Sequence, residues 1–506
     1  MIGRNSLLNA VGVVTPLAIG VLLVPVLTAA LGPARFGLLS IAWALLEYSA
    51  LFDIGLSRAT THAVAVSLAR GESRASDDVS EIVATSLLAQ LALGAVGAVV
   101  LWLLAPTLSS TFAATRELAA EARASLFVLA AMVPLVLLGA SLRGLLEAAQ
   151  RFDLSTAIRI PSSTATLAIS AIAAERGATI PRILELSLVV RAVTCLALGW
   201  AAHTAIRQLR WRRPNLRRHL KPLLRFGGWV ATSSVISPVL LYLDRLVLGA
   251  VAGLAAVGFY AAPLEVVSRL LLLAASVVPV LFPAVSALHA RGDRAALLRL
   301  LGSSVRAVVA MMLPAVCVLI AFAPSILEAW LGPAYAMRST VVLQVLAVGA
   351  LCNAAAYAPF VYVQALGRPD VTGKLHAAEL LLYVPLTWVL VHRYGALGAA
   401  LAWTTRMTVD AALVAAAATW VLRIPPGRLV TPRAAYLAFA GIALLAALSG
   451  AAAGVRRAPV PALLGGTAAV ALFAAAAWRY VMDEEERRLV WAAFGLGRRP
   501  SLTSPR

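Results

Sequence analysis

The sequence contains little charge, few cysteines and no long polar segment. Charged residues make up only 13% of the 506 residues, whereas 61% are hydrophobic. The surface of a soluble fold cannot cover so large an apolar fraction. The shortage of charge therefore excludes a soluble globular protein and predicts a polytopic membrane protein.

The three cysteines and six histidines are dispersed along the chain. Cys195, Cys317 and Cys352 fall in separate hydrophobic segments, so they form neither a disulfide framework nor a paired set of metal ligands. The histidines likewise make no metal-type pair in the sequence. We therefore expect no metal site and no covalent catalysis, and we interpret the cysteines as small apolar packing residues.

The connections between hydrophobic segments are too short for a soluble catalytic or nucleotide-binding domain, because none exceeds about 25 residues. The stretch 367–375 contains two glycines and Lys374, but no Ser or Thr follows the lysine. A phosphate-binding loop needs that hydroxyl as a magnesium ligand. We predict that the chain is not an enzyme, uses no cofactor, and draws on an ion gradient of protons or sodium, the substrate gradient or a partner.

Fourteen hydrophobic segments recur along the chain, each long enough to cross a membrane core of ~30 Å, which takes about 20 helical residues. Membrane β-strands would be about half that length, so the predicted fold is all-α. The first segment is also longer than a signal-peptide core of ~7–15 residues. The predicted limits are 6–31, 36–57, 81–107, 120–147, 155–175, 182–206, 226–252, 255–288, 302–331, 338–366, 374–394, 396–422, 433–454 and 459–481.

Basic residues predict the orientation, because lysine and arginine flanking spans accumulate on the cytoplasmic side. An N-terminus in the cytoplasm places most of them inside, so both termini are predicted to be cytoplasmic. The densest basic segment, 207–225, is interpreted as an anchor on anionic lipid headgroups. It has only Trp211 as a stacking residue, so no nucleic-acid partner is expected.

Two halves of the chain share weak features that predict two six-helix lobes. Short Gly/Ala-rich connections occur at 31–38 and 251–260, six spans apart, and prolines interrupt the first and seventh spans. Matched interruptions in two halves point to the central site of a transporter. The predicted organisation is an N-terminal lobe at 1–206, a basic cytoplasmic loop at 207–225, a C-terminal lobe at 226–425, an additional helix pair at 426–482 and a cytoplasmic tail at 483–506.

Arginines at membrane depth are the main site candidates, since a charge there costs several kcal/mol unless it is paired or faces a polar cavity. Arg191 has no acidic residue three or four positions away on its own helix. We predict an anionic cargo gripped by guanidinium groups, which bind phosphate oxygens bidentately. The predicted binding residues are Arg191, Arg245, Arg269 and Arg406, whereas Arg143 is close enough to a helix end to reach water.

Acidic residues at membrane depth have two predicted roles. Glu265 and Asp410 are each four positions from an arginine, which predicts structural ion pairs; Asp244 is assigned the same role. Glu47 and Glu379 have no basic residue at that spacing, and a carboxyl in a low-dielectric site can carry a proton. Acids in or near the spans outnumber the five arginines, so the sequence does not predict a strongly cationic lumen.

Several motifs, in order and spacing, resemble the oligosaccharide flippases of the Wzx type, which belong to the multidrug/oligosaccharidyl-lipid/polysaccharide (MOP) exporter superfamily. The resemblance covers residues 1–425. The motifs are Asn9, Pro16, Pro25, Leu31-Gly32, Phe36-Gly37, Phe52-Asp53-Ile54-Gly55-Leu56, Tyr242-Leu243-Asp244-Arg245-Leu246-Val247-Leu248-Gly249, Val257-Gly258-Phe259-Tyr260, Trp330-Leu331-Gly332-Pro333-Ala334-Tyr335, Gln364-Ala365-Leu366-Gly367-Arg368 and Tyr394-Gly395-Ala396-Leu397-Gly398-Ala399-Ala400.

The resemblance implies two helical bundles around a cavity that opens alternately to each side of the bacterial cytoplasmic membrane. The implied cargo is a polyprenyl-diphosphate-linked oligosaccharide, moved to the outer leaflet, and the implied partners are this lipid, membrane lipids and other glycan assembly proteins. The alternatives within the superfamily are a multidrug/cation antiporter, favoured if acids line the cavity, and a lipid II flippase. A membrane glycan polymerase or ligase is the alternative from another class, but the predicted outside loops are short for one.

Overall fold

The structure is a computed structural model that describes residues 2–70, 75–112, 115–206, 209–210, 212–424, 432–455, 458–481 and 487. Every regular element in these ranges is helical. A 3-10 turn, Ser49–Asp53, follows the first helix, and a π-helical turn, Ala477–Val481, follows the last. The helices are α1 Ile2–Tyr48, α2 Leu56–Arg70, α3 Ala75–Phe112, α4 Arg116–Ala148, α5 Phe152–Glu175, α6 Ile180–Ala205, α7 Leu216–Ala252, α8 Leu254–Ala275, α9 Val278–Ala290, α10 Arg294–Ala321, α11 Ala323–Leu331, α12 Pro333–Ala365, α13 Pro369–Leu422, α14 Pro432–Gly454 and α15 Pro459–Ala476.

The all-α membrane fold with about fourteen spans is confirmed. Eleven stretches of the described helices are long and apolar enough to cross a membrane. Two of the longest helices each contain a break that separates two predicted spans: α1 breaks at Gly32 and α13 at Gly395. The 54 residues of α13 are more than twice the about 20 that one crossing needs.

Some helices differ from the spans that the hydrophobicity pattern predicts. The predicted spans 255–288 and 302–331 each consist of two consecutive helices, α8 with α9 and α10 with α11. The segment between the second and third predicted spans, which carries no hydrophobic run, contains α2. Its Ser, Thr, Arg and His residues hide the helix from a hydropathy search, although its buried side packs on α3 and α4.

The first compact unit is Met1–Gly258 and contains α1 to α7. Its main contacts join α3 to α4, α4 to α6, and α1 and α6 to α5. A buried apolar cluster, which includes Val64, Val79, Leu145, Leu198 and Ile206, fastens α2, α3, α4 and α6 to each other at one end of the unit.

The second compact unit is Phe259–Arg506. Its largest contact joins α12 to α13, and α12 also packs on α10 and α11. The last two helices, α14 and α15, pack against each other and on α10 through a cluster that includes Leu313, Phe322, Leu448 and Phe473. The predicted tail 483–506 lies outside the described residues except for Arg487.

The two Gly/Ala-rich connections of the first unit pack directly against each other. Gly32 (φ 69°, ψ 171°) and Gly253 (φ 81°, ψ 170°) share a backbone conformation that only glycine adopts readily. Just beyond them, a Cβ on Gly258 would overlap the carbonyl group of Pro33. A Cβ on Gly37 would likewise overlap the carbonyl group of Leu254. The absence of side chains therefore lets the start of α8 lie on the break of α1.

We expect Gly258→Ala to destabilise the protein by about 1–3 kcal/mol, the usual cost of overpacking, because the added methyl group meets the Pro33 carbonyl. Thermal unfolding of the detergent-solubilised protein, followed by size-exclusion fluorescence, measures the effect. Gly450→Ala is the matched control, since a Cβ there meets no atom within 4 Å. An unchanged melting temperature for Gly258→Ala would contradict the close packing of the two connections.

Candidate functional site

A cavity of about 770 Å³ lies within the first unit. The 3-10 turn and α1, α2, α4, α5 and α6 all contribute to its wall. Apolar lining residues, such as Leu46 and Val136, alternate with polar ones. The polar and charged lining residues are Glu47, Asp53, Ser57, Arg58, Arg143, Ser155, Arg159, Ser162, Ser163, Thr166, Arg191 and Thr194.

Four arginines from four different helices line this cavity: Arg58 from α2, Arg143 from α4, Arg159 from α5 and Arg191 from α6. Arg191 is half-buried, and the other three side chains are exposed. Guanidinium groups that remain accessible can make charge-assisted hydrogen bonds to an anion. Arg191 thus lines a polar cavity, as its position within a hydrophobic span predicted.

Two acids also line the cavity, and they differ in how they are held. Asp53 accepts hydrogen bonds from the Ser57 backbone N–H at 3.0 Å and the Ser57 hydroxyl at 2.6 Å, and from the Gln90 amide. Glu47 is exposed and is an electrostatic neighbour of Arg191, as is Arg143. With four arginines against two acids, the lining carries a net positive charge, which the acid-rich spans of the sequence did not indicate.

Hydroxyl groups surround the arginines. Ser155, Ser162, Ser163 and Thr166 lie on one face of α5 together with Arg159, at the spacing of successive helical turns. The hydroxyl oxygens of Ser162 and Thr194 are 2.6 Å apart and join α5 to α6. Guanidinium groups suit phosphate oxygens, and hydroxyls suit sugars, so the wall combines both kinds of partner.

Arg58 and Arg159 were missed as site residues. Arg58 lies on α2, in a segment that was predicted to be a connection between the second and third spans. Arg159 lies near the start of the fifth predicted span and was not counted among the arginines at membrane depth. The periodic Ser155, Arg159, Ser162 and Thr166 pattern in an otherwise apolar segment was the available signal for a polar helix face.

The structure places the other predicted residues of the first unit away from this cavity wall. Asp244 is 0% and Arg245 6% exposed. An Arg245 Nη donates to the Ser40 hydroxyl at 3.3 Å, and the guanidinium lies 5.6 Å from the centre of the Tyr242 ring. The hydrogen bond to Ser40 joins α7 to α1. Substrate binding by Arg245 stays a prediction.

The remaining predicted residues belong to the second unit. Arg269 donates to Glu265 at 3.2 Å along α8, the i,i+4 geometry that the sequence predicted. Glu379 and Asp410 lie close together between the two halves of α13, with His376 beside them. Arg406 is an electrostatic neighbour of Glu379. Sequence spacing alone does not reveal this grouping, because the break at Gly395 creates it.

Similarity to solved structures defines the class of fold. The chain resembles an inward-facing multidrug resistance MATE family transporter of the MOP superfamily, with a TM-score of 0.65 and 16% identity over 82% of this chain and 98% of that one. It also resembles the lipid II flippase MurJ in an inward closed conformation, with a TM-score of 0.70 and 12% identity over 94% and 98%. The fold is therefore that of the MOP superfamily transporters.

The sequence comparison gives the family. A family model described as polysaccharide biosynthesis protein matches residues 26–339, and the chain belongs to this family. A protein of Shigella flexneri named as a proposed O-antigen transporter is 28% identical over 411 residues, which cover 81% of this chain and 96% of that protein. The family resemblance that the sequence motifs indicated is thus confirmed.

We expect the cavity to attract anions, because its lining carries a net positive charge and a charged cleft concentrates counter-ions, by about 10-fold or more where one sign dominates. In a variant with its three cysteines replaced by alanine, Ser163→Cys should react faster with a sulfonate-bearing thiol reagent than with a trimethylammonium-bearing one, each rate being scaled to a free thiol. Thr179→Cys, in the exposed turn before α6, is the control. Equal rate ratios at the two positions would refute the cationic character of the cavity.

Proposed function

We propose that this protein is a flippase that moves a polyprenyl-diphosphate-linked oligosaccharide from the inner to the outer leaflet of the bacterial cytoplasmic membrane. Translocation proceeds by alternating access and serves the assembly of cell-surface polysaccharide. The observation that carries this proposal is the cavity of the first unit, where four arginines and six hydroxyl-bearing side chains share one wall. Membership of the polysaccharide biosynthesis protein family and the name of the Shigella relative support it.

The chemistry of the cargo suggests which cavity residues bind each of its parts. The diphosphate is held by Arg191, with Arg58, Arg143 and Arg159 around it, because guanidinium groups make charge-assisted, bidentate bonds to phosphate oxygens. The sugar hydroxyls exchange hydrogen bonds with the polar face of α5, such as Ser163 and Thr166. The polyprenyl chain needs no polar partner and stays among membrane lipids.

Glu47 has a proposed part in coupling. In the cavity without cargo, its carboxylate is an electrostatic neighbour of Arg191. A bound diphosphate competes for the same guanidinium and leaves Glu47 without its counter-charge. We therefore propose that Glu47 takes part in coupling, because a cargo that binds Arg191 alters the balance of charge around this carboxylate.

The net positive charge of the cavity favours a flippase over a multidrug/cation antiporter. A multidrug/cation antiporter needs a site that attracts cations, whereas arginines outnumber acids four to two in this lining. Lipid II carries the same polyprenyl diphosphate, and only the sugar portion distinguishes it. We propose transport without enzymatic activity. The proposed partners are glycan assembly proteins, which supply the cargo on one side of the membrane and consume it on the other.

Depletion of the protein in its native host tests the proposed function. Mass spectrometry of polyprenyl-linked glycans, combined with glycan-modifying probes that cannot cross the membrane, should detect a completed oligosaccharide accumulating on the cytoplasmic side. Accumulation of lipid II would identify the lipid II flippase instead. An unchanged pool of lipid-linked glycans together with reduced efflux of cationic compounds would reject flipping in favour of antiport.

Arg191→Ala should weaken binding of a long-chain polyprenyl diphosphate by roughly 10- to 100-fold, the effect of losing a charged hydrogen bond worth about 1.5–3 kcal/mol. Affinity is measured on purified protein in lipid nanodiscs. Arg191→Lys should recover part of the affinity, since it keeps the charge but loses the bidentate geometry. Arg182→Ala, on the exposed side of α6 beside Glu185, is the control; wild-type affinity in Arg191→Ala would remove Arg191 from the site.

A further inference from the structure

The second unit contains a compact group of titratable side chains that is separate from the arginine-lined cavity. His376 and Glu379 lie on the first half of α13, and Asp410 lies on the second half, beyond the break at Gly395. One nitrogen or oxygen atom of each lies within 4.8 Å of the others. The His376 Nε2 is 3.7 Å from an Asp410 carboxylate oxygen. The group therefore joins the two halves of α13, which the kink at Gly395 places side by side.

Glu379 is the least accessible member of this group. Its side chain is 3% exposed, and neither carboxylate oxygen accepts a hydrogen bond within the described part of the chain. An ionised carboxylate taken out of water without a compensating partner costs several kcal/mol. Asp410, its neighbour, carries the same charge, so the two carboxylates repel each other unless a positive charge lies between them.

The fixed charges that α12 and α13 place around the two carboxylates leave one negative charge in excess. Arg406 supplies one positive charge from the second half of α13, where its guanidinium lies 5.2 Å from the centre of the Tyr383 ring. On the first half, Lys374 pairs with Asp370 at 3.5 Å. With His376 neutral, two carboxylates face one guanidinium.

The helix packed on α13 does not supply the missing charge. The only charged residue of α12 is Arg338, and its guanidinium lies 5.2 Å from the centre of the Phe259 ring. The titratable side chains of α12 nearest the middle of the helix, Cys352 and Tyr357, are neutral groups. Phe360 stacks on the His376 ring with 6.0 Å between ring centres and shields it with an apolar surface.

We propose that Glu379, Asp410 and His376 form a proton-binding site of the second unit, in which one proton taken from water is held between the two carboxylates. The protonated carboxyl becomes the donor of a hydrogen bond to the other carboxylate, which gives the Glu379 oxygens a partner and cancels the excess charge. A multivalent metal ion would face the fixed charge of Arg406. A sodium ion prefers a shell of oxygen atoms, whereas one of the three groups is an imidazole.

The site has two states that differ in how the halves of α13 interact. With the proton, a hydrogen bond links residue 379 to residue 410 across the helix pair. Without it, two carboxylates repel each other in an apolar environment. Ligands that bind the two states of such an element unequally shift its population. The further claim that this proton drives transport rests on the proposed function, whereas the binding of the proton does not.

Infrared difference spectroscopy between acidic and basic pH tests the site in purified protein in lipid nanodiscs. The wild-type protein should show the C=O absorption of one buried carboxylic acid per chain, and Glu379→Gln should abolish it. Asp410→Asn, a second near-isosteric variant, should also abolish it at the pH where the wild-type protein shows it, because one carboxylate then faces one guanidinium and the excess charge is gone. Glu185→Gln, at the exposed surface of α6, should leave the absorption unchanged.

Absence of the absorption in the wild-type protein, or its persistence in Glu379→Gln, would overturn the proposal. Its displacement at constant pH by millimolar sodium or zinc would also overturn it and assign the site to that metal ion. For the link to transport, Glu379→Gln should still bind polyprenyl diphosphate, but its affinity should vary less with pH than that of the wild-type protein, and a pH gradient should accelerate its transport in proteoliposomes less. A wild-type protein that binds no diphosphate but shows the absorption would reject the proposed function alone.

Discussion

Compensation of charge inside an apolar helical protein is the constraint on which the rest of this structure depends. A guanidinium or carboxylate at membrane depth is stable only beside an opposite charge or water. On α8 the chain meets this requirement within one helix, by the Glu265 and Arg269 pair. Arg191 has no such neighbour on α6, and its charged neighbours come from α1 and α4 across a cavity. A charge compensated across a cavity is available to a ligand, whereas one compensated along its own helix is already engaged.

Glycine positions decide where those compensating helices can meet. The break at Gly32 lets the second half of α1 turn toward the cavity, and the contact of Gly258 with Pro33 fixes the break against the start of α8. The break at Gly395 does the same for α13, because it brings residues 379 and 410 together from opposite halves of one long helix. Polar chemistry in both units therefore depends on backbone conformations that a side chain would obstruct.

Hydrophobicity was sufficient to predict the class of fold and the helices, because each crossing needs about 20 apolar residues and the sequence contains such runs. Depth in those runs also identified Arg191, Glu47 and Glu379. The same criterion missed Arg58, since α2 is too polar to register as a span. It could not pair Glu47 with Arg191 or Glu379 with Asp410, because those neighbours depend on how separate helices pack. Long-range packing is not encoded in a local pattern.

The two units differ in the sign of the charge that they leave uncompensated. The cavity of the first unit is lined by more arginines than acids, so its missing partner is an anion. The group on α13 holds two carboxylates near one guanidinium, so its missing partner is a cation. Under the proposed function and the proposed proton site, a diphosphate and a proton supply these missing charges, so the stability of each unit depends on binding. Binding that changes the population of shared conformations is necessarily reciprocal. A cargo that favours one conformation then alters the affinity for the proton by the same factor, which is the thermodynamic requirement for coupled transport.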